Sequence, residues 1–411
     1  MTVALVVNIS EFLEEYFSNS MKTLKESYAA IILSIFTDIL AGVFLGKAEE
    51  ILKILPGIII LLPGTIGLRG NIFGSLGSRL GSAFHLGLIE KFELKNPLVQ
   101  DNTKIPIYLT LLFSVFLGIL ANFSCKIFGI ECVGIEHFIV ISFIAGVISG
   151  FIMLVLTFFI TFIAFHRGYD PDNVTTPLIT AFGDFFTVPA LIFAAFLVKD
   201  LSFKLVNYLF DFIILLTIGN MIYIIYRENK NVKKIIYESV PVLSVCSIIG
   251  SFSGFIMQES LNQLLILPSF LVMIPAFLEE GGNIGSILAS RLTSKLHLGL
   301  IRPEFKFNKY LIQELITSHV LSLIVFPLVG ILSFVFSKFT NIETLSFIDS
   351  IIITTILGLI LTMLVSFLVI VVCFIAYRHG YDPDNVLVPM VTSFADFLGI
   401  FILIFALNLL V

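Results

Sequence analysis

Long runs of apolar residues, separated by short polar segments, follow one another along the whole chain. Such runs predict membrane-spanning helices, because about 20 apolar residues are needed to cross the hydrocarbon core of a bilayer. We predict eleven of these helices. Five lie in the first half, at residues 27–46, 51–88, 105–126, 136–165 and 174–198, five in the second half, at 239–258, 263–300, 310–337, 347–377 and 386–410, and one between them, at 204–226.

Short motifs recur at a constant offset of 212 residues. Gly70-Asn71-Ile72 returns as Gly282-Asn283-Ile284, and residues 168–173 return unchanged as 380–385. Five helices per half would leave the halves oppositely oriented, so the additional helix between them makes the halves parallel. The sequence therefore predicts an all-α membrane protein with two parallel five-helix repeats, related by a pseudo-two-fold axis along the membrane normal. The predicted parts are a cytosolic N-terminal segment (1–26), the first repeat (27–200), a linking membrane helix with a cytosolic loop (201–234) and the second repeat (235–411).

Composition and charge fit this prediction. Hydrophobic residues make up 58% of the 411 residues and charged residues 13%, which leaves no large soluble domain and no basic surface for nucleic acid. If the N-terminus is cytosolic, seventeen of the 24 Lys and Arg fall on the cytosolic side and six on the other, as the positive-inside rule requires. We therefore expect a multi-pass protein of the cell membrane with an extracellular C-terminus. Arg69 belongs to neither side and falls at membrane depth.

Four cysteines offer one possible cross-link. Cys246 and Cys373 lie in apolar helices and are interpreted as small hydrophobic residues. Cys125 and Cys132 flank a short loop, and their spacing is compatible with either a disulfide or two free thiols.

The second helix of each half is too long to be a single straight helix. Prolines interrupt it at Pro56 and Pro63 and, in the repeat, at Pro268 and Pro275. We expect a kinked or unwound stretch running from Pro63 and Pro275 into the repeated Gly-Asn motif. Its free carbonyl oxygens, with those of the asparagines, would suit Mg²⁺. The candidate ligands are Gly70, Asn71, Gly282 and Asn283; a kink that serves packing alone is the alternative.

Asp184 and Asp396 are the strongest candidates for a cation site. Each lies two turns into the last helix of its half, with Thr180 or Thr392 one turn earlier on the same face. A carboxylate at membrane depth needs water, a cation or a partner, and two-fold symmetry would bring both acids to the central axis. A dication between them would balance their charge. The alternative is a helix-packing hydrogen bond or a salt bridge to Arg69.

The two halves differ at a few charged positions. Arg69 corresponds to Gly281, Asp38 to Gly250, and Glu279 and Glu280 to Gly67 and Leu68. We assign Arg69, Asp38, Glu279 and Glu280 to gating or coupling. Because a buried arginine needs a partner, we expect Arg69 to form a salt bridge with an acid of either half, Asp38 and Glu280 being candidates.

Two acidic motifs precede the last helix of each half. Asp170-Pro171-Asp172-Asn173 and the matching residues 382–385 have the composition of helix N-caps. A cation-attracting inner mouth is the alternative function for them.

These motifs resemble a known family. Gly282-Asn283-Ile284 leading into residues 289–293, after Pro275, is similar to the MgtE-type magnesium transporters and their fused solute-carrier relatives, family forty-one. Asp172-Asn173-Val174, Thr176-Pro177 and Gly183-Asp184 resemble the last membrane helix of that family. The resemblance implies that Asp184 and Asp396 bind hydrated Mg²⁺ in a central pore lined by the Gly-Asn segments. MgtE proteins also carry cytosolic domains that sense nucleotide and Mg²⁺, and these have no counterpart in this sequence. The resemblance therefore does not extend to regulation by intracellular Mg²⁺.

We therefore expect a transporter or channel for divalent cations, most simply Mg²⁺, with the lipid bilayer as environment and no organic cofactor. A monomer would suffice because the repeat supplies the two-fold axis, and a homodimer stays open. The alternative is a Na⁺- or H⁺-coupled secondary transporter of a small organic anion, held by helix N-termini and Arg69. An intramembrane enzyme is disfavoured, because no nucleophile–base pair stands out.

Overall fold

The computed structural model describes residues 31–85, 87–89, 95–166, 176–303, 308–378 and 383–410. Every regular element within these ranges is helical. The helices are α1 (Ile31–Gly46), α2 (Glu49–Ile54), α3 (Leu61–His85), α4 (Pro97–Phe128), α5 (Ile135–His166), α6 (Thr176–Lys199), α7 (Phe203–Arg227), α8 (Lys230–Glu259), α9 (Leu261–Ile266), α10 (Ser269–His297), α11 (Lys309–Phe339), α12 (Phe347–Arg378) and α13 (Pro383–Leu410).

Nine of the helices in the described ranges, α3 to α8 and α11 to α13, are long and apolar enough to cross a membrane. The chain is therefore a multi-pass membrane protein. Helix α10 has 29 residues but carries Glu279 and Glu280 in its middle, and α1 has 16 residues within the described part of the chain.

Asparagine side chains fix the start of three long helices. The Oδ1 atoms of Asn96, Asn229 and Asn308 accept hydrogen bonds from backbone N–H groups in the first turns of α4, α8 and α11, at 2.8–2.9 Å. Such caps satisfy donors that a helix end leaves unpaired. Helix α8 begins at Lys230, so only Glu228 and Asn229 connect it to α7, a shorter loop than the sequence predicted.

The long second helix of each half is interrupted at the first proline of each predicted pair, Pro56 and Pro268, and not at the second. The chain breaks at Leu55–Gly57, where Gly57 has a φ of +89°, and at Leu267–Pro268 in the second half. Pro63 falls in the first turn of α3, where its missing N–H removes no helical hydrogen bond. Pro275 lies within α10, and both Gly-Asn motifs are helical. The expected unwound stretch with free carbonyls was therefore wrong.

Glycines allow the halves to approach each other closely. A Cβ atom added to Gly42 of α1 would lie 1.9 Å from the carbonyl oxygen of Val272 in α10. A Cβ atom added to Gly254 of α8 would lie 2.2 Å from the carbonyl oxygen of Ile60, just before α3. The first helix of each half thus packs against the interrupted helix of the other half.

Two features hold the edges of the bundle. Cys125 and Cys132 form a disulfide across the turn between α4 and α5, which resolves the choice the spacing left open. At the other end of α4, the hydroxyl of Tyr108 donates a hydrogen bond of 2.5 Å to Glu228, and Asn229 Nδ2 donates to both carboxylate oxygens of Asp101. These contacts attach the linking helix α7 and the start of α8 to the first half.

Candidate cation site

Asp184 of α6 and Asp396 of α13 are brought close enough to interact electrostatically, although 212 residues separate them. Glu279 of α10 interacts electrostatically with both aspartates and lies close to the side chain of Thr180. Asp184 is buried and Asp396 half-buried, and neither forms a salt bridge with any described residue. The centre therefore holds three carboxylates, one more than the sequence argument assigned to it.

The repeated glycines bring the threonine-bearing helices against α3 and α10. A Cβ atom added to Gly70 would lie 3.3 Å from Cγ2 of Thr180. A Cβ atom added to Gly282 would lie at the same distance from Cγ2 of Thr392. Asp184, from the first half, interacts with Glu279 of the second half. Asp396, from the second half, has its Oδ2 atom 3.7 Å from the Cβ position of Gly67 in the first half, the counterpart of Glu279. Each aspartate thus faces the interrupted helix of the opposite half.

The repeated asparagines lie on the same helices as these glycines. Asn71 and Asn283 are half-buried, and the Nδ2 atom of each has no hydrogen-bond partner among the described residues. A buried amide donor of this kind is normally satisfied by ordered water.

Asp38 and Glu280 extend the acidic centre towards α1. Both are fully buried, and Asp38 interacts electrostatically with Asp184, Glu279 and Glu280. Ser34, one turn before Asp38, donates a hydrogen bond of 3.0 Å to Asp38 Oδ2. Ser34 was not among the residues predicted from the sequence, although its spacing of four residues from Asp38 on one helix face could have indicated it.

Arg69 lies elsewhere than expected. It is buried on α3 beside Gly146 and Gly150 of α5, and its Nη1 donates a hydrogen bond of 2.7 Å to Thr110 of α4. No acid among the described residues lies within 4.0 Å of it, and its Nε atom has no partner there. The expected salt bridge to Asp38 or Glu280 was therefore wrong.

A pair of equivalent contacts joins the second and third long helices of each half. In the second half, Arg291 and Lys295 of α10 both form salt bridges with Glu314 of α11. In the first half, Arg79 Nε donates a hydrogen bond of 3.0 Å to Asn102, the counterpart of Glu314. Asn102 and Glu314 each follow their arginine by 23 residues, a repeated spacing that could have indicated these contacts from the sequence.

The side chains of the acidic motifs before the last helices lie outside the described part of the chain. Residues 170–173 and Asp382 lie outside the described residues. Asp384 and Asn385 lie in the first turn of α13, and their side chains are outside the described part. The choice between helix caps and an inner mouth therefore stays a prediction.

No group of three or more His, Cys, Asp and Glu side chains in the described ranges is arranged to hold a metal ion. The central acids thus interact through space without forming a closed ligand cage.

Comparison with protein families identifies two matching regions. The chain matches the family MgtE, described as divalent cation transporter, over residues 62–196 and again over residues 274–406. The two regions contain Asp184 and Asp396, respectively, and together cover more than half of the chain.

Similar proteins are found among vertebrate solute carriers. The chain is 25% identical to solute carrier family 41 member 2 of Xenopus laevis over 433 residues, covering 95% of this chain and 74% of that protein. It is 25% identical to solute carrier family 41 member 3 of Mus musculus, over 87% of this chain and 77% of that protein. The human member 2 is 26% identical over 90% of this chain and 67% of its own length. No solved structure matches the chain significantly.

Proposed function

The chain belongs to the MgtE family of divalent cation transporters, and on this premise we propose that it carries Mg²⁺ across the cell membrane between its two halves. It is a transporter and not an enzyme. The observation that carries the proposal is that Asp184 and Asp396, from equivalent helices, interact electrostatically with each other and with Glu279 of α10. Unbalanced carboxylates inside a membrane protein mark an ion pathway.

The proposed cargo is a hydrated ion. Mg²⁺ dehydrates reluctantly, so carboxylates separated by water suit it better than a closed cage of direct ligands. Thr180, Thr392, Asn71 and Asn283 would hold its water shell by hydrogen bonds. The glycines Gly70 and Gly282 contribute close packing rather than carbonyl ligands, because helical carbonyls are already engaged in backbone hydrogen bonds.

We also propose that the halves are parallel repeats related by a pseudo-two-fold axis. In a two-fold contact, residue i of one unit meets residue j of the other, and j meets i in return. Gly42 meets Val272 and Gly254 meets Ile60; both pairs are related by the offset of 212 residues, which supports this symmetry. Counting α1 and α10 with the nine apolar helices gives eleven spans. One chain then supplies both halves, so a monomer suffices.

Transport itself gives the first test. Purified protein in proteoliposomes should take up Mg²⁺, and Mg²⁺ should raise the thermal unfolding midpoint, because a ligand that binds only the folded state stabilises it by about 1.4 kcal/mol at ten times its Kd. Small organic anions should do neither. Stabilisation by an organic anion without any response to Mg²⁺ would favour the rival function, a secondary anion transporter.

The orientation proposal has a separate test. Disulfides persist in oxidising compartments, so the Cys125–Cys132 bond supports an extracellular α4–α5 turn and a cytosolic N-terminus. After treatment with a membrane-impermeant reductant, an impermeant maleimide should label these cysteines in right-side-out vesicles and not in inside-out vesicles. A Lys234→Cys variant, exposed near the start of α8, should show the opposite preference at position 234.

Two controls accompany the labelling. The Cys125→Ser/Cys132→Ser variant should lose the signal of right-side-out vesicles, since Cys246 and Cys373 are buried. Labelling of Cys125 and Cys132 from the cytosolic face would reverse the proposed orientation and leave the cation site untouched.

A further inference from the structure

Three buried polar residues meet where α1 packs against α10. Ser34, Asp38 and Glu280 each have 0% of their surface exposed. Ser34 donates its hydroxyl to one carboxylate oxygen of Asp38, and the other oxygen has no partner among the described residues. Both carboxylate oxygens of Glu280 are also unpartnered there, although Ser34 and Asn283 lie close by. Three carboxylate oxygens therefore face the interior of the α1–α10 contact unsatisfied.

The surrounding charges do not balance these acids. Asp38 faces Asp184 on α6 and Glu279 and Glu280 on α10, all of them acidic. No salt bridge reaches Asp38 or Glu280 from a described lysine or arginine, and Arg69 binds Thr110 instead. Burying unpaired carboxylates is unfavourable unless a cation or a proton neutralises them.

The other half of the chain provides an internal comparison. The positions equivalent to Ser34, Asp38 and Glu280 are Cys246, Gly250 and Leu68. There the contact between α8 and α3 is apolar and close, and a Cβ atom added to Gly250 would lie 2.8 Å from Cα of Gly64. The same helix contact therefore forms without acids, so packing does not require Asp38 and Glu280.

We propose that Ser34, Asp38 and Glu280 form a second cation-binding site, present only where α1 meets α10. Glu280, fully buried and with no hydrogen-bond partner for its carboxylate oxygens among the described residues, faces Asp38 from the opposing helix, and the hydroxyl of Ser34 completes a set of oxygen ligands. Oxygen ligands without His or Cys select small hard metal cations. The cation is an alkali ion or a second Mg²⁺, and the site does not depend on which ion the central acids transport.

The site adjoins the central acids and would act on them through charge. Asp38 interacts with Asp184, so a cation beside Asp38 lowers the negative potential felt by a dication at Asp184. Occupation of the second site should therefore weaken binding at the central site, and by thermodynamic linkage the reverse holds equally.

The test separates the two sites by removing the central one first. Protein carrying Asp396→Asn is placed in nanodiscs of neutral lipid at fixed pH, with choline chloride as the inert salt. MgCl₂ and NaCl are then titrated separately, following the thermal unfolding midpoint and the binding heat. We expect at least one of the two salts to bind saturably, and the one that does so identifies the ion.

Adding Asp38→Asn and Glu280→Gln to this background should weaken that binding about tenfold or more, since each removes a charged ligand. Adding Glu259→Gln instead, an exposed acid at the end of α8, should leave it unchanged. The near-isosteric variants should fold without added salt, because they remove buried charges and no contact to another described residue except that of Ser34.

Three results would overturn the proposal. The first is loss of saturable binding of both salts in Asp396→Asn alone. The second is unchanged binding in the triple variant. The third is a thermal unfolding midpoint that rises at acidic pH but does not change with either salt, which would mean that Asp38 and Glu280 share a proton. Since Asp396 is already replaced, these results leave the proposed transport function of the central acids standing.

Discussion

Replacing either Asp184 or Asp396 with asparagine should reduce Mg²⁺ uptake in proteoliposomes to about 1% of the wild-type rate or less. Asparagine keeps the shape of the side chain and removes one of the charges that hold the dication. A hundredfold loss corresponds to about 2.7 kcal/mol, well within the energy that one charge at close range contributes in a low-dielectric interior. Both variants should lose transport, because the two acids come from equivalent positions.

The matched control is Asp200→Asn, an exposed acid immediately after the helix that carries Asp184. It should transport at the wild-type rate. In the absence of Mg²⁺, the unfolding midpoint of the Asp184 and Asp396 variants should not fall below that of the wild type, since each replaces an acid without a salt-bridge partner among the described residues. Normal transport by either variant, at normal yield, contradicts the central-pair proposal.

Replacing Gly42 or Gly254 with alanine should destabilise the protein by about 3 kcal/mol. The added methyl groups would lie 1.9 Å from the carbonyl oxygen of Val272 and 2.2 Å from that of Ile60. Because both obstacles are backbone atoms, a rotamer change cannot relieve the overlap, and the helices must separate. The measurement is the thermal unfolding midpoint in detergent, together with the yield of monodisperse protein.

Gly219→Ala in α7 is the control for this pair, since no neighbouring atom lies within 4 Å of its Cβ position. Alanine there should leave stability unchanged or increase it by up to about 1 kcal/mol, the difference in helix propensity. If Gly42→Ala and Gly254→Ala unfold like Gly219→Ala, the close contact between the halves is not what holds them together. Equal losses at Gly42 and Gly254 would further support the two-fold relation.

The amino-acid sequence predicted the helices well, because the length of an apolar run and its capping residues are local properties. The predicted span 136–165 appears as Ile135–His166, and 204–226 as Phe203–Arg227. The unwinding predicted at the Gly-Asn motifs was wrong, because both motifs are helical. Glycine destabilises an isolated helix, yet inside a membrane protein no bulk water is available to satisfy an opened backbone, so the helix is kept. The chain does break beside Pro56 and Pro268, two of the four prolines at which the sequence predicted an interruption.

By itself, the sequence determined the membrane class, the repeated motifs and the candidate acids Asp184 and Asp396, since a charged residue in an apolar run stands out wherever the run is placed. Only the tertiary structure decided which side chains meet. It brought Glu279 within electrostatic reach of both aspartates and placed Asp38 beside Ser34 and Glu280. It also paired Arg69 with Thr110 and not with an acid. Those partners lie on helices distant in sequence, and their distances depend on how glycines such as Gly42 and Gly254 let the helices approach, which no local pattern encodes.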